Sequence, residues 1–265
     1  MHSATPASPA SLDDIARHLD TLLRTSEVPD YPGAMNGIQV EHDGPVTRCA
    51  VAVDASLQTI DGAIAAGANL LVVHHGLFWG GAQPLRGRVF ERVRRLLAHD
   101  VAVYASHLPL DLHPSVGNNT LMAHELALTP SAGFARFQST EIGVMGETDV
   151  ATATLEERCD ALAQREGGRL VSIGVTPHRR TRRWALCTGA GASSDTLREA
   201  AALAIDTLIV GEGPHHTAVE AAELGVAVLY VGHYATETFG VRALGQEIER
   251  VFGIPWSFLS APTGL

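Results

Sequence analysis

The sequence predicts an α/β protein in which two duplicated halves form one sheet-and-helix core with an inserted middle subdomain. Three observations carry this. Fully apolar runs such as Leu70–Val73 read as strands covered on both faces, as in a parallel sheet flanked by helices. Segments of helical apolar spacing alternate with those runs. The order strand, small-residue turn, helix, strand occurs twice along the 265 residues, a length that suits one large domain or two modest ones.

The elements follow in order. Leu12, Ile15, Ala16, Leu19, Leu22 and Leu23 fall at helical spacing, with Ser11 as N-cap and Asp14 at the third position after it. Asp30–Gly37 is rich in turn formers. Cys49–Val53 reads as a strand, Ser56–Ala66 as a helix, Leu70–Val73 as a strand, Val89–Ala98 as a helix and Val101–Ala105 as a strand. Asn119–Leu128 is helical, with Asn118 or Asn119 as its cap. In the second half Trp184–Cys187, Thr207–Val210 and Val226–Val231 are strand-like. Ser194–Ala204, Thr217–Leu224 and Val241–Phe252 are helical.

The repeat is visible residue by residue. VAVDASLQTIDGAIAAGANLLVVHHG starts at Val51, and LCTGAGASSDTLREAAALAIDTLIVGEG starts at Leu186. Each half continues into a VAV strand followed by a histidine and a carboxylate four positions on, His107 with Asp111 and His233 with Glu237. Domain boundaries are therefore expected at 12–128, 129–183 and 184–265. The middle segment contains Gly167, Gly168, a helix over Leu155–Gln164 and the cluster Arg179, Arg180, Arg182 and Arg183, which suits either a phosphate or a solvated turn.

Composition narrows the function classes. Hydrophobic residues make up 46% and charged residues 18%, which excludes a disordered chain. No uncharged apolar run reaches the ~18 residues of a membrane helix. A formal net charge of -10 argues against a nucleic-acid polymer as partner. All 19 Lys/Arg residues are Arg, so a Schiff-base lysine and a Walker lysine are both excluded. Cys49, Cys159 and Cys187 form no pair at metal-knuckle spacing. Met1–Ser11 has neither a basic nor an apolar signal region and reads as a frayed tail, with the cytoplasm as the expected compartment.

The chemistry concentrates at strand ends. His74 and His75 close a buried strand, at the sheet edge where open α/β proteins bind ligands. Adjacent imidazoles on extended backbone point apart, so they suit two ions, or one ion and its surroundings. With His107, Asp111, His233 and Glu237 they form a set of N and O donors without a nearby thiol, suited to Zn, Mn, Fe, Co or Ni. Two ions about 4 Å apart are the natural occupancy. His215 and His216, after Gly211-Glu212-Gly213, match the His74 region in the repeat, and they and Glu212 suit proton transfer or substrate binding. Phe78 and Trp79 could stack on a planar base or pack in a core. His113 is a candidate for a place near the ligands. His2, His18, His42, His99, His124 and His178 have no evident partners. TGAGAS at Thr188 is only a weak phosphate-loop signal.

Several separated segments together resemble one family. MNGIQVE at Met35, VVHHGLFW at Val72, HLPLDLHPSVGNN at His107, GE at Gly211 and GHYATETFGVRAL at Gly232 resemble the NIF3-like dinuclear metal-centre proteins, also called GTP cyclohydrolase 1 type 2 homologs. The resemblance runs from about Leu12 to the C-terminus. It implies two divalent metal ions held by His74, His75, Asp111, His233 and Glu237, with His107 outside the direct ligand set, either behind the ligands or facing substrate. It also implies a toroidal homohexamer. The activity implied is a metal-dependent hydrolysis of GTP cyclohydrolase type, in which a metal hydroxide attacks guanine C8 and formate leaves, with His107, Glu212 or His215 moving protons. Two alternatives stay open on the residues: a non-catalytic metal-binding, metal-delivery or regulatory protein, and a hydrolase of another small substrate.

Overall fold

The computed structural model describes residues 10–81 and 83–265. His2 and most of the expected tail lie outside the described residues. In chain order the elements are α1 (Leu12–Leu23), β1 (Gly37–Val40), β2 (Cys49–Asp54), α2 (Leu57–Ala65), β3 (Leu70–His75), α3 (Gly87–Ala98) and β4 (Ala102–Ala105). Then come α4 (Leu108–Asp111), α5 (Asn118–Glu125), β5 (Ala132–Phe137), β6 (Thr140–Ala151), α6 (Thr152–Arg165), β7 (Val171–Ile173) and β8 (Arg180–Cys187). The chain closes with α7 (Ser194–Ala202), β9 (Thr207–Val210), α8 (His215–Leu224), β10 (Ala227–Tyr230), α9 (His233–Thr236), α10 (Thr238–Phe252) and β11 (Trp256–Phe258).

The fold is α/β, and each half has a sheet of its own. The first compact unit comprises the chain up to Glu27, Tyr31–His107 and Val241–Ala261. Its five-stranded sheet has the order β1-β4-β3-β2-β11. β2, β3, β4 and β11 run parallel, and β1 closes one edge antiparallel to β4. The central strands are buried on both faces, which explains their unbroken apolar runs. Ala50, Ala52, Ile60, Ala63, Leu71, Val73, Leu96 and Val103 belong to one core cluster. The apolar stripe Leu12, Ile15, Ala16, Leu19 and Leu23 of α1 is buried, and Ser11 Oγ accepts the Asp14 N–H at 3.1 Å as the spacing predicts.

The second unit comprises Val28–Asp30, Leu108–Gly240 and Pro262–Leu265. Its six-stranded sheet has the order β5-β6-β8-β9-β10-β7. β8, β9 and β10 are parallel, and β5, β6 and β7 add antiparallel partners on the two sides.

The duplication appears as two β-α-β-α-β runs, β2 to β4 and β8 to β10. The caps repeat as well. Ser56 and Thr59 form a reciprocal capping box at the start of α2, and Ser193 and Thr196 form the same box at the start of α7. Thr59 Oγ1 also donates to Asp54 O at 2.6 Å, and Thr196 Oγ1 to Gly191 O at 3.0 Å. A repeated strand-to-helix turn down to its hydroxyl bonds is a stronger sign of duplication than repeated apolar spacing.

Residues 129–183 all lie within the second unit. The long strand β6 pairs along β8, and α6 buries Leu155, Cys159 and Leu162 in the core that holds Met122, Trp184 and Leu186. Met122, Ala123, Leu126 and Leu128 pack in that second core, and β11 returns to pair with β2 of the first sheet. Among the described residues, no helix is long and apolar enough to cross a membrane.

Candidate metal centre

In the first unit, the end of β3 gathers three imidazoles. His74 is fully buried, and its Nδ1 lies 2.9 Å from the backbone carbonyl of Ser106. A carbonyl can only accept, so Nδ1 carries the proton and Nε2 carries the lone pair. The His75 Nδ1 lies 3.0 Å from Asp54 Oδ1, at the end of the neighbouring strand, and again Nε2 is left as the basic nitrogen. The parallel register opposes Asp54 to His75, so the sheet itself sets this contact. His107 joins them. One ligand atom from each of His74, His75 and His107 lies within 4.8 Å of the others. The His107 backbone N–H donates to Asn36 Oδ1 at 2.8 Å, which anchors the start of its turn.

In the second unit, two carboxylates are buried. Asp111 is 6% exposed and Glu237 is 2% exposed. Asp111 Oδ1 accepts from Asn118 Nδ2 at 2.8 Å and from Thr188 Oγ1 at 3.3 Å. Asn118, expected as a helix cap, is the first residue of α5 and is turned to Asp111 instead; Gly117 is the N-cap. Asn118 Oδ1 meanwhile accepts the Gly240 N–H at 2.7 Å. His233 sits between carboxylates, with Nδ1 2.8 Å from Glu212 Oε1 and Nε2 3.2 Å from Glu237 Oε2. Burial opposes charge on this ring, but Glu237 first and then Glu212 outweigh it and push its pKa up to about 9. The Glu237 side chain needs room: at Gly189, with φ +62°, a Cβ would stand 2.2 Å from Glu237 Oε1. The glycine-rich stretch after Thr188 therefore makes space for a carboxylate, which accounts for it without a phosphate.

The three imidazoles named as ligands share one arrangement. Each presents Nδ1 to an acceptor, namely Ser106 O, Asp54 and Glu212, and keeps Nε2 for a second partner. Held imidazoles and buried carboxylates, with no thiolate among them, suit a divalent cation of nitrogen and oxygen preference. Buried carboxylates also require a positive partner to offset their desolvation. Cys49, Cys159 and Cys187 are buried, and burial pushes their thiols well above the ordinary range, so they supply no thiolate.

Other expected residues fall elsewhere. Glu212 is occupied by the His233 ring, which makes it a positioning group more than a base. His215 and His216 are exposed on the first turn of α8 and make no hydrogen bond or ion pair among the described residues. The His113 Nδ1 caps its own turn through Ser115 and Val116 N–H. His18 is bonded to Glu247 and His42 to the Asp43 carbonyl. Two of the four clustered arginines are bonded within the fold. Arg179 donates to the carbonyls of Asp206 and Gly225 at 2.6 and 2.7 Å, and Arg180 pairs with Asp149 at 2.7 Å. Asp54 was not singled out from the sequence, although a carboxylate closing VAVD beside a His-His strand is a readable signal. Asn118 and Thr188, the partners of Asp111, gave no such signal.

Comparison with known proteins places this geometry in a family. The profile of Duf34/NIF3 (NGG1p interacting factor 3) matches residues 10–262. A protein of Deinococcus radiodurans named GTP cyclohydrolase 1 type 2 homolog is 43% identical over 254 residues, covering 96% of this chain and 94% of that one. A protein of the same name from Halobacterium salinarum is 41% identical over 257 residues, covering 96% and 99%. Among solved structures, protein ybgI, described as of unknown function, superposes with a TM-score of 0.86 at 32% identity, covering 96% of this chain and 100% of that one. With a profile spanning nearly its whole length and relatives this similar, the chain belongs to the Duf34/NIF3 family.

Proposed function

We propose that the chain binds two divalent metal ions through His74, His75, Asp111, His233 and Glu237 and uses them to hydrolyse a small substrate, with ring opening of GTP-cyclohydrolase type as the named reaction. One observation carries the reading: all three imidazoles of that ligand set have Nδ1 held by an acceptor, which orients Nε2 as a metal ligand. The names of the relatives supply the guanine nucleotide. Bound divalent ions would lower the pKa of water and polarise the substrate.

The chain's own residues then have defined tasks. Asp54 and Glu212 hold the rings of His75 and His233, and the Ser106 carbonyl holds His74. Asn118 and Thr188 hold Asp111. His107, in contact with the other two histidine rings, is placed to hold or move a proton. Loading the protein with Zn, Mn, Fe or Co and measuring formate from GTP tests the proposal. Formate above a metal-free blank supports it, and no formate with metal bound removes the GTP assignment.

A second reading is metal binding without turnover, in delivery or regulation. The sequence offers no evident triphosphate cradle, and the bonding of Arg179 and Arg180 within the chain favours this second reading. Transfer of metal to an apo acceptor protein, without formate release, would decide for it. The homohexamer belongs to the proposal too. Leu85, Phe90 and Leu97, 58%, 46% and 60% exposed around α3, are apolar surface that assembly would cover. Light scattering in solution tests the number of subunits.

A further inference from the structure

Two large aromatic side chains stand exposed beside the histidines of the first unit. Tyr31 is 48% exposed and Trp79 is 37% exposed. The Trp79 ring meets His107 nearly edge-on, with centroids 4.6 Å apart and planes at 81°. Its centroid is 5.6 Å from that of His75. Tyr31 lies 6.3 Å from Trp79 and 6.0 Å from His107, tilted by 54° and 52°. The two rings thus rim the cluster at an angle to each other.

The rim is held in place from behind. A Cβ at Gly33 would come within 3.0 Å of the Trp79 carbonyl oxygen and 3.2 Å of its Cα, so the Tyr31–Gly37 turn lies directly on the Trp79 backbone. Gln39 ties the same two segments together. Its Oε1 accepts from Leu77 N at 2.7 Å, while its Nε2 donates to the carbonyls of Ala34 and Met35, each at 3.0 Å. Asn36 of that turn anchors His107. Partly exposed aromatic rings on a fixed backbone leave apolar surface open in the free chain and would order little further on meeting a flat ligand.

We infer that Tyr31 and Trp79 are the binding residues for a planar heteroaromatic ring, which they stack beside His75 and His107, so the substrate class is a purine-sized nitrogen heterocycle. The inference rests on the hydrolase reading for its purpose, but its binding claim stands on ring geometry. An aliphatic phosphoester would gain no stacking here. A nucleobase would gain it from either face, and His107 would lie near the ring edge where heterocycle nitrogens accept or donate a proton.

The test is calorimetric titration of the zinc-loaded protein with GMP and AMP, against ribose 5-phosphate as the ringless control. The wild type is expected to bind the nucleotides at least about 10-fold more tightly than the control. Trp79→Leu and Tyr31→Ala should each weaken nucleotide binding about 10-fold, leave ribose 5-phosphate binding unchanged and keep the wild-type metal content. Trp79→Phe should recover most of the loss. Thermal melting checks that each variant folds, and Tyr31→Ala carries the test if Trp79→Leu does not. Equal binding of nucleotide and ribose 5-phosphate by the wild type would overturn the inference, as would wild-type nucleotide affinity in both variants. Tight ring binding without formate release would remove the GTP-cyclohydrolase reading and leave this one. Formate release with an unchanged KM in both variants would do the reverse.

Discussion

Replacing Asp54 by Ala tests whether the acceptors behind the histidines matter to metal binding. Asp54 Oδ1 holds His75 Nδ1 at 3.0 Å, with the carboxylate side chain 39% exposed and the imidazole 17% exposed. Acceptors behind metal-bound histidines are typically worth about 10–100-fold in metal affinity. Solvent screens a carboxylate that is more than a third exposed, so the expected loss lies at the low end, about 10-fold or ~1.4 kcal/mol at 25 °C. Asp54→Asn keeps an acceptor oxygen but removes the charge, and should fall between the wild type and Asp54→Ala. The assay is competition for zinc against a chelator at fixed pH, paired with urea unfolding of the metal-free protein. Folding stability should change by no more than about 0.5 kcal/mol, because the group is at the surface. Unchanged zinc affinity in Asp54→Ala would refute the reasoning. So would an affinity loss fully explained by lost stability of the metal-free chain.

Further outcomes follow from other contacts. Asn118→Ala strips Asp111 of a donor and leaves the buried Gly240 N–H without its acceptor, so urea unfolding should show a loss of about 2–4 kcal/mol. Arg179→Ala should cost about 1–3 kcal/mol of stability, through the carbonyls of Asp206 and Gly225, and leave nucleotide affinity unchanged in calorimetry. The hydrogen bond from Arg250 holds the Glu247 carboxyl below its usual range, against burial and with help from His18. A lowered carboxylate pKa adds stability above the unfolded value, and that stability is lost as pH falls through the folded value. Denaturation midpoints measured from pH 6 down to pH 3 should therefore fall less steeply in Glu247→Gln than in the wild type.

Much of this was legible in the sequence. The strands Cys49–Asp54, Leu70–His75 and Thr207–Val210 stand out because parallel strands buried on both faces are apolar along their middles and carry polar residues only at an end. The duplication was legible in the repeated order of strand, turn, helix and strand, and the structure adds a repeated capping chemistry at Ser56 with Thr59 and Ser193 with Thr196. The middle segment was less legible for a definite reason. The short antiparallel strand β7 holds only exposed and partly buried residues and looks like loop, and only pairing with the distant strand β10 makes it sheet. The site was half legible. Histidines at strand ends announce themselves, whereas Asn118 and Thr188 reach Asp111 across 7 and 77 positions of sequence with no local pattern. Tyr31 is likewise joined to Trp79 only by the fold.

The central claim is the metal centre, and metal content per chain tests it most directly. Protein purified without tag or chelator, then loaded and desalted, should carry close to two divalent ions per chain by elemental analysis. Asp111→Ala and His233→Ala should sharply reduce that content while circular dichroism shows the fold intact. Full occupancy in both variants, or no bound metal in a folded wild type, would contradict the account.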